Sequence, residues 1–264
     1  MTAAMCLLRR FCLFAAVFSV FGAVVSADWV ERRVAYTDGN TDFEGVLVYR
    51  EGGGERPGIL MVPNWMGVTP ASVEKAKRIA GGDYVIFVAD LYGADVRPAN
   101  AEEAGAAAGE VRADRAMMRA RARLGLDTLL GSAAPVDAER TAAIGFCFGG
   151  GTVLELGRSG APVDAVVSFH GDLASPTLEA DAGANRGSVL VLHGAEDPYV
   201  PQEDVRAFVA AMRGTGVDWQ LVQFSETVHS FTDPAADAAG RAAHNPRSAR
   251  RAYRYMDALF DELF

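Results

Sequence analysis

Thr141-Ala142-Ala143-Ile144-Gly145-Phe146-Cys147-Phe148-Gly149-Gly150 is the stretch on which the fold turns. Its first four residues read as a short strand, uncharged and without polar alternation, as a strand buried on both faces should be. Glycines then flank a single cysteine before a helix opens, which is the strand-turn-helix context of a nucleophile elbow. Glycine is needed there because the tight turn brings other chain segments close to positions where a Cβ would clash. The turn lifts the cysteine above the sheet edge and aims the first N–H groups of the helix at whatever binds there. A thiol at a helix N-terminus also has its thiolate favoured. A lone cysteine is otherwise most often a small buried hydrophobe, so the chemical reading needs partners elsewhere in the chain.

Outward from this turn, short β-branched or aromatic runs alternate with helix-period runs. Gly58 to Val62, Tyr84 to Ala89, Ala165 to Phe169, Ser188 to Leu192 and Trp219 to Phe224 are the expected strands. The first two are continuous apolar runs, which predicts an α/β fold with a mostly parallel central sheet covered by helices on both faces. Upstream, Arg33 to Tyr36 and Phe43 to Tyr49 flank Asp38-Gly39-Asn40, predicting an N-terminal antiparallel hairpin. Thr69 caps a helix with Pro70 at its first position and Gly81 past its end. Asn100 and Glu103 form a capping-box pattern, although Gly105 and Gly109 weaken the helix that follows. A better helix is expected from about Val111 to Leu130. Val205, Phe208, Val209 and Met212 mark another helical face, and Asn245-Pro246 opens a last helix with a stripe through Ala249, Ala252, Tyr253, Met256, Phe260 and Leu263. These stripes are core.

Partners for the cysteine come in the order nucleophile, acid, histidine. Asp197 lies in His193-Gly194-Ala195-Glu196-Asp197-Pro198, directly after the strand Ser188 to Leu192, where side chains emerge at the carboxyl edge of a parallel sheet. His229 follows the last strand, where it can serve as general base while a carboxylate fixes its tautomer. Asp172, after the strand Ala165 to Phe169, is the competing acid. Of the other histidines, His170 and His193 end strands and are expected to hydrogen-bond locally, and His244 just precedes the C-terminal helix.

Composition limits the alternatives. The chain has 264 residues, 50% of them hydrophobic, three cysteines and a net charge of -9. These values exclude a disulfide scaffold and disorder and argue against a nucleic-acid partner, which needs a basic surface. Arg9 and Arg10, the apolar run Phe11 to Val25 and the small residues Val25-Ser26-Ala27 read as a cleavable secretory signal over residues 1–27. Cleavage after Ala27 removes two arginines and no acid, leaving a net charge of -11 and Cys147 as the only thiol. The expectation is a secreted or periplasmic chain, one domain over residues 28–264, with no membrane association after cleavage. No zinc-type spacing and no phosphate loop occur, so neither metal nor organic cofactor is expected. The oligomeric state is left open.

The motifs ILMVPNWMGV, VADLYG, GFCFGG, HGAEDPYVP and VHSFTDP, in that order, resemble the dienelactone hydrolase family of α/β-hydrolases from about Gly45 to Phe264. The resemblance implies the α/β-hydrolase fold, with Cys147 as nucleophile, Asp197 and His229 as its triad partners, and an oxyanion hole from the backbone N–H groups of Trp65 and Phe148. Asn64, Phe231 and Asp233 are the candidates for the substrate pocket. Two positions depart from the family pattern: Asn64 stands where relatives have a glutamate, and Asp233 where they have an arginine that pairs with a substrate carboxylate. The family's acyl-transfer chemistry thus carries over better than its dienelactone substrate. An acid at 233 disfavours an anionic substrate, unless Arg97, Arg112 or Arg115 supplies the cation. The leading expectation is hydrolysis of a small ester, lactone or thioester through an acyl-cysteine. A non-catalytic binding protein of the same fold and a thiol redox protein are the alternatives, the last lacking a resolving cysteine.

Overall fold

The computed structural model describes residues 28–264. The signal expected over residues 1–27 lies outside the described residues. Ten strands and seven helices follow in the order β1 (Trp29–Thr37), β2 (Asp42–Arg50), β3 (Arg56–Val62), α1 (Pro70–Ala80), β4 (Val85–Val88), α2 (Ala101–Ala113), α3 (Arg115–Leu130), β5 (Val136–Phe146), α4 (Phe148–Arg158), β6 (Ala165–Phe169), α5 (Leu178–Asp181), β7 (Ser188–Gly194), α6 (Gln202–Met212), β8 (Trp219–Phe224), β9 (Asp237–Ala238), β10 (Ala242–Ala243) and α7 (Pro246–Leu263).

Eight strands form one sheet in the order β1-β2-β4-β3-β5-β6-β7-β8. The hairpin β1–β2 is antiparallel, β2 meets β4 antiparallel, and β4 through β8 are parallel. Alternate strand residues feed two cores. Leu60, Val62, Val189 and Val191 pack under α2, α3, α4 and α6, whereas Ile59, Met61, Leu190 and Leu192 pack under α1 and α7. Each such side chain contributes on the order of 1.5–3 kcal/mol on burial. This alternation within uninterrupted apolar runs is what a sheet covered on both faces requires.

Register brings the strand ends level. Val62 pairs with Gly145, Phe146 with Phe169, Phe169 with Leu192, and Gly194 with Phe224. The segments that follow β3, β5, β6, β7 and β8 therefore leave the sheet along one edge, and all the candidate residues lie on them.

One helical expectation is corrected. The helix expected from Val111 to Leu130 is two helices, because Asp114 leaves helical geometry at φ −120° and ψ 94° and accepts the Met117 N–H as the cap of α3. The helix α2, despite Gly105 and Gly109, runs for 13 residues because Ala104, Ala108 and Val111 are buried and Asn100 caps it. The short hairpin β9–β10, turned at Gly240, was not expected from the sequence.

Candidate active site

Cys147 sits between β5 and α4 at φ 56° and ψ −116°, outside the regions that a residue with a Cβ favours. The surroundings hold it there. Its N–H donates to Phe169 O at 3.0 Å and to His170 Nδ1 at 3.1 Å, and its carbonyl accepts the N–H of Gly150 at 3.0 Å. A Cβ on Gly145 would lie 2.0 Å from Gly149 O, and one on Gly149 would lie 2.1 Å from Val62 O. Backbone thus packs on backbone around the turn, which only glycine permits.

His229 lies past β8 on a loop tied by its N–H to Arg241 O and by the Ala243 N–H to its own carbonyl. Its Nδ1 is 2.7 Å from Asp197 Oδ2, and its ring shares the cleft with Cys147. The other oxygen of Asp197 accepts the N–H of Tyr199 at 2.9 Å, and the Tyr199 ring stands edge-on to His229 at 5.1 Å. Burial disfavours charge on His229, but the hydrogen bonds with Asp197 and Cys147 outweigh it and raise the imidazolium to about 9. Burial likewise pushes the Cys147 thiol up. The hydrogen bond and charge of His229, the Phe148 N–H and the Arg112 guanidinium outweigh that and hold it below its ordinary value. Both shifts act in the direction of thiolate and imidazolium.

The candidate backbone donors are the N–H groups of Phe148, beside the sulfur, and of Trp65, on the cleft wall. The Phe148 N–H acts on the Cys147 sulfur, and the Trp65 N–H has no hydrogen-bond partner among the described residues. The loop that carries Trp65 is fixed by the Asn64 side chain, whose oxygen accepts the Met66 N–H at 3.0 Å, and by Tyr92, whose hydroxyl donates to Trp65 O at 2.9 Å. Asn64 therefore shapes the loop in addition to lining the cleft.

The cleft, about 530 Å³, is lined by Asn64, Trp65, Arg112, Cys147, His229 and Asp233 among others. Phe231 departs from expectation: it is 0% exposed, because Ser230 at φ 55° turns the chain and sends Phe231 inward against Phe224 and His170. Asp172 lines the cleft but pairs with Arg115 at 3.5 Å, and His229 has Asp197 as its carboxylate. Arg97 is held by Asp90 at 3.0 Å. Arg112 alone of the three arginines lines the cleft; it lies over the Phe148 ring at 5.4 Å and has no ion pair among the described residues. His170 hydrogen-bonds as expected, whereas neither ring nitrogen of His193 finds a partner. Tyr199, 50% exposed over His229, went unnoticed in the sequence, although its place two residues past Asp197 was a usable signal. Among the described residues, no group of three or more His, Cys, Asp or Glu side chains is placed to hold a metal ion.

Comparison with known proteins gives this geometry its context. The model of the dienelactone hydrolase family matches residues 43–264. The chain belongs to the dienelactone hydrolase family. It is therefore a carboxylic ester hydrolase with the α/β-hydrolase fold, and the reading as a non-catalytic binding protein gives way. Among solved structures it is similar to m3DLH, at 45% identity and a TM-score of 0.83, covering 89% of this chain and 99% of that one. A dienelactone hydrolase-like promiscuous phosphotriesterase, P91, from metagenomic libraries is 39% identical at the same TM-score of 0.83 and over the same shares, 89% and 99%. A Synechocystis sp. protein provisionally named a carboxymethylenebutenolidase is 25% identical over 84% of this chain and 92% of its own. An uncharacterised protein of Caenorhabditis elegans is 30% identical over 49% of this chain and 84% of its own.

Proposed function

We propose that this hydrolase cleaves a small ester, lactone or thioester through an acyl-cysteine, with Cys147 as nucleophile, His229 as acid and base, and Asp197 as the group that orients and charges His229. The observation that carries the proposal is the Asp197–His229 hydrogen bond in the cleft that Cys147 lines, with the Phe148 N–H on the sulfur and the Trp65 loop on the cleft wall. The Cys147 thiolate attacks the carbonyl carbon and forms a C–S bond, and the carbonyl electron pair moves to oxygen, where the Trp65 and Phe148 N–H groups receive it. Collapse breaks the bond to the leaving group, which takes the proton of the His229 imidazolium. Neutral His229 then removes a proton from water as its oxygen attacks the thioester. A second collapse breaks the C–S bond, releasing the acid and restoring thiolate and imidazolium.

An aryl ester followed by mass spectrometry tests this: the acyl mass is expected on the peptide containing Cys147. Turnover by Cys147→Ala at the parent rate would overturn it. A matched pair of an aryl ester and a neutral aryl phosphotriester adds a second substrate class to the same assay, favoured by the similarity to P91.

Charge narrows the substrate. Asp233 and Asp237 line the cleft and make no ion pair within 4.0 Å among the described residues, Asp172 is shared with Arg115, and the positive groups nearby include Arg112 in the cleft and the half-buried Lys75 beside Asp233. Neutral substrates are therefore preferred to analogues with a carboxylate beside the scissile bond. We also propose export: the Arg9-Arg10, apolar run and Val25-Ser26-Ala27 succession supports a mature N-terminus at Asp28. Intact mass of the exported protein checks it, and recovery of the full chain in membranes would sink it.

A further inference from the structure

His170 is the second buried histidine at the strand ends, and the mechanism above does not use it. It holds an unusual backbone, φ 42°, directly after β6. Its own N–H donates to Leu192 O at 2.8 Å, continuing the sheet hydrogen bonding toward β7. The ring then bridges two segments that the sheet does not join. On one side Nδ1 accepts the backbone N–H of Cys147 at 3.1 Å. On the other, Nε2 is 2.8 Å from Thr232 Oγ1, three residues past His229. Because Nδ1 accepts, Nε2 carries the proton and donates to Thr232, which fixes both the tautomer and the ring plane. The same ring stands edge-on to the His229 ring at 5.2 Å and to Phe231 at 5.1 Å.

We infer that His170 is a positioning residue: a neutral strut that sets the distance and angle between the Cys147 turn and the loop that carries His229. The inference rests on the reading of Cys147 and His229 as the reacting pair. The elbow and the histidine loop belong to different strands, β5 and β8, with β6 and β7 between them. No strand pairing therefore fixes their separation, and the ring of His170 spans it through two hydrogen bonds and an aromatic edge. A neutral ring is required. An imidazolium cannot accept the Cys147 N–H, and it would face the charged His229 at close range. Full burial supplies the neutral form, and the charge of His229 adds to it, both holding His170 well below the usual histidine range. The Cys147 N–H keeps its bond to Phe169 O if the ring is removed, so loss of the strut disturbs alignment more than folding.

Three variants test this in the full chain. His170→Leu removes both bonds at similar volume. His170→Asn keeps an acceptor near the Nδ1 position and suits a positive φ. Thr232→Val removes the far contact and the interaction of Thr232 with the Tyr253 hydroxyl, and Tyr253→Phe controls for the latter. The readouts are kcat and KM for an aryl ester, normalised to the thiol that iodoacetamide can titrate, with thermal melting alongside. His170→Leu is expected to lower kcat about tenfold to a hundredfold with KM changed less than threefold. His170→Asn is expected to recover part of that loss. Thr232→Val should lose severalfold, and the double variant His170→Leu, Thr232→Val no more than the worse single one, since both cut one connection. A folded His170→Leu with kcat within twofold of the parent overturns the inference. Should that variant not fold, an unchanged kcat in Thr232→Val overturns it instead. Cys147→Ala in the same series separates the two readings: activity retained there refutes the acyl-cysteine mechanism, whereas activity lost there but intact in His170→Leu refutes the strut alone.

Discussion

The turn at 145–151 and the loop at 225–243 each hold one half of the proposed reacting pair, and they are built in opposite ways. Around Cys147, backbone lies against backbone, and all of α4 is buried. Around His229, the chain is shaped by two positive-φ residues, Glu226 and Ser230, by a few hydrogen bonds and by the short hairpin β9–β10, and most of residues 234–241 are exposed. The first region admits one conformation and tolerates almost no added atom. The second carries an equally placed side chain on a segment whose sequence is freer to vary, and it supplies the cleft residues Asp233, Asp237 and Ala242. On the proposed mechanism, reactivity is anchored in the rigid part and selectivity in the loop.

The sharpest test of that division removes the nucleophile. Cys147→Ala is expected to lower kcat/KM by 10³ or more, about 4 kcal/mol, with its melting temperature within a few degrees of the parent. His229→Ala should match it in kinetics, since the two act as a unit. A loss below tenfold in either would break the pairing. Asp197→Asn comes next, at roughly 10²-fold in kcat. On the proposed mechanism the parent enzyme needs His229 charged to protonate the leaving group. Its kcat/KM should therefore fall as pH rises through about 9, where the imidazolium titrates. Without the Asp197 carboxylate that limb moves to lower pH, and a profile unchanged by the substitution would remove Asp197 from the pair.

The packing side of the comparison is probed by Gly149→Ala. Its Cβ meets Val62 O at 2.1 Å and Pro63 O at 2.4 Å, both backbone atoms that cannot swing away. Roughly 1–3 kcal/mol of stability should be lost. An alanine in the exposed hairpin, Asp237→Ala, should change the melting temperature little, and equal shifts in the two would contradict the contrast. The smallest effect concerns charge. A neutral ester should exceed its carboxylate-bearing analogue by about tenfold in kcat/KM, a difference of about 1.4 kcal/mol. Arg112→Gln should widen that gap, and a preference for the anion in the parent would make Arg112 the dominant group.

Legibility in the sequence follows the same line. The elbow, the parallel strands and the order Cys147, Asp197, His229 could be read because glycine spacing and unbroken apolar runs leave little choice of structure. Phe231 was read as a pocket residue because a motif gives proximity in the chain; the turn at Ser230 that buries it depends on a single φ angle. Arg112 could not be separated from Arg97 and Arg115, since which of them reaches the cleft depends on the break at Asp114 between α2 and α3. Asn64 was seen as a missing carboxylate, while its hydrogen bond to Met66 N–H shows a service to the loop that a comparison of residue types does not reveal. His170 carries no local signature at all, because its two partners are 23 and 62 residues away.

The N-terminal hairpin has a consequence for the protein in a crowded solution. The strand β1 closes one end of the eight-stranded sheet, so among the described residues its outer row of N–H and C=O groups faces no further strand. Such a border is a template on which another extended chain can pair. Glu31, Arg32 and Arg33 are exposed in the middle of it, and any incoming strand would have to accommodate three adjacent charges. Replacing them with Thr or Val would leave the hydrolytic centre untouched and turn this border into a seed for self-association, visible as concentration-dependent light scattering.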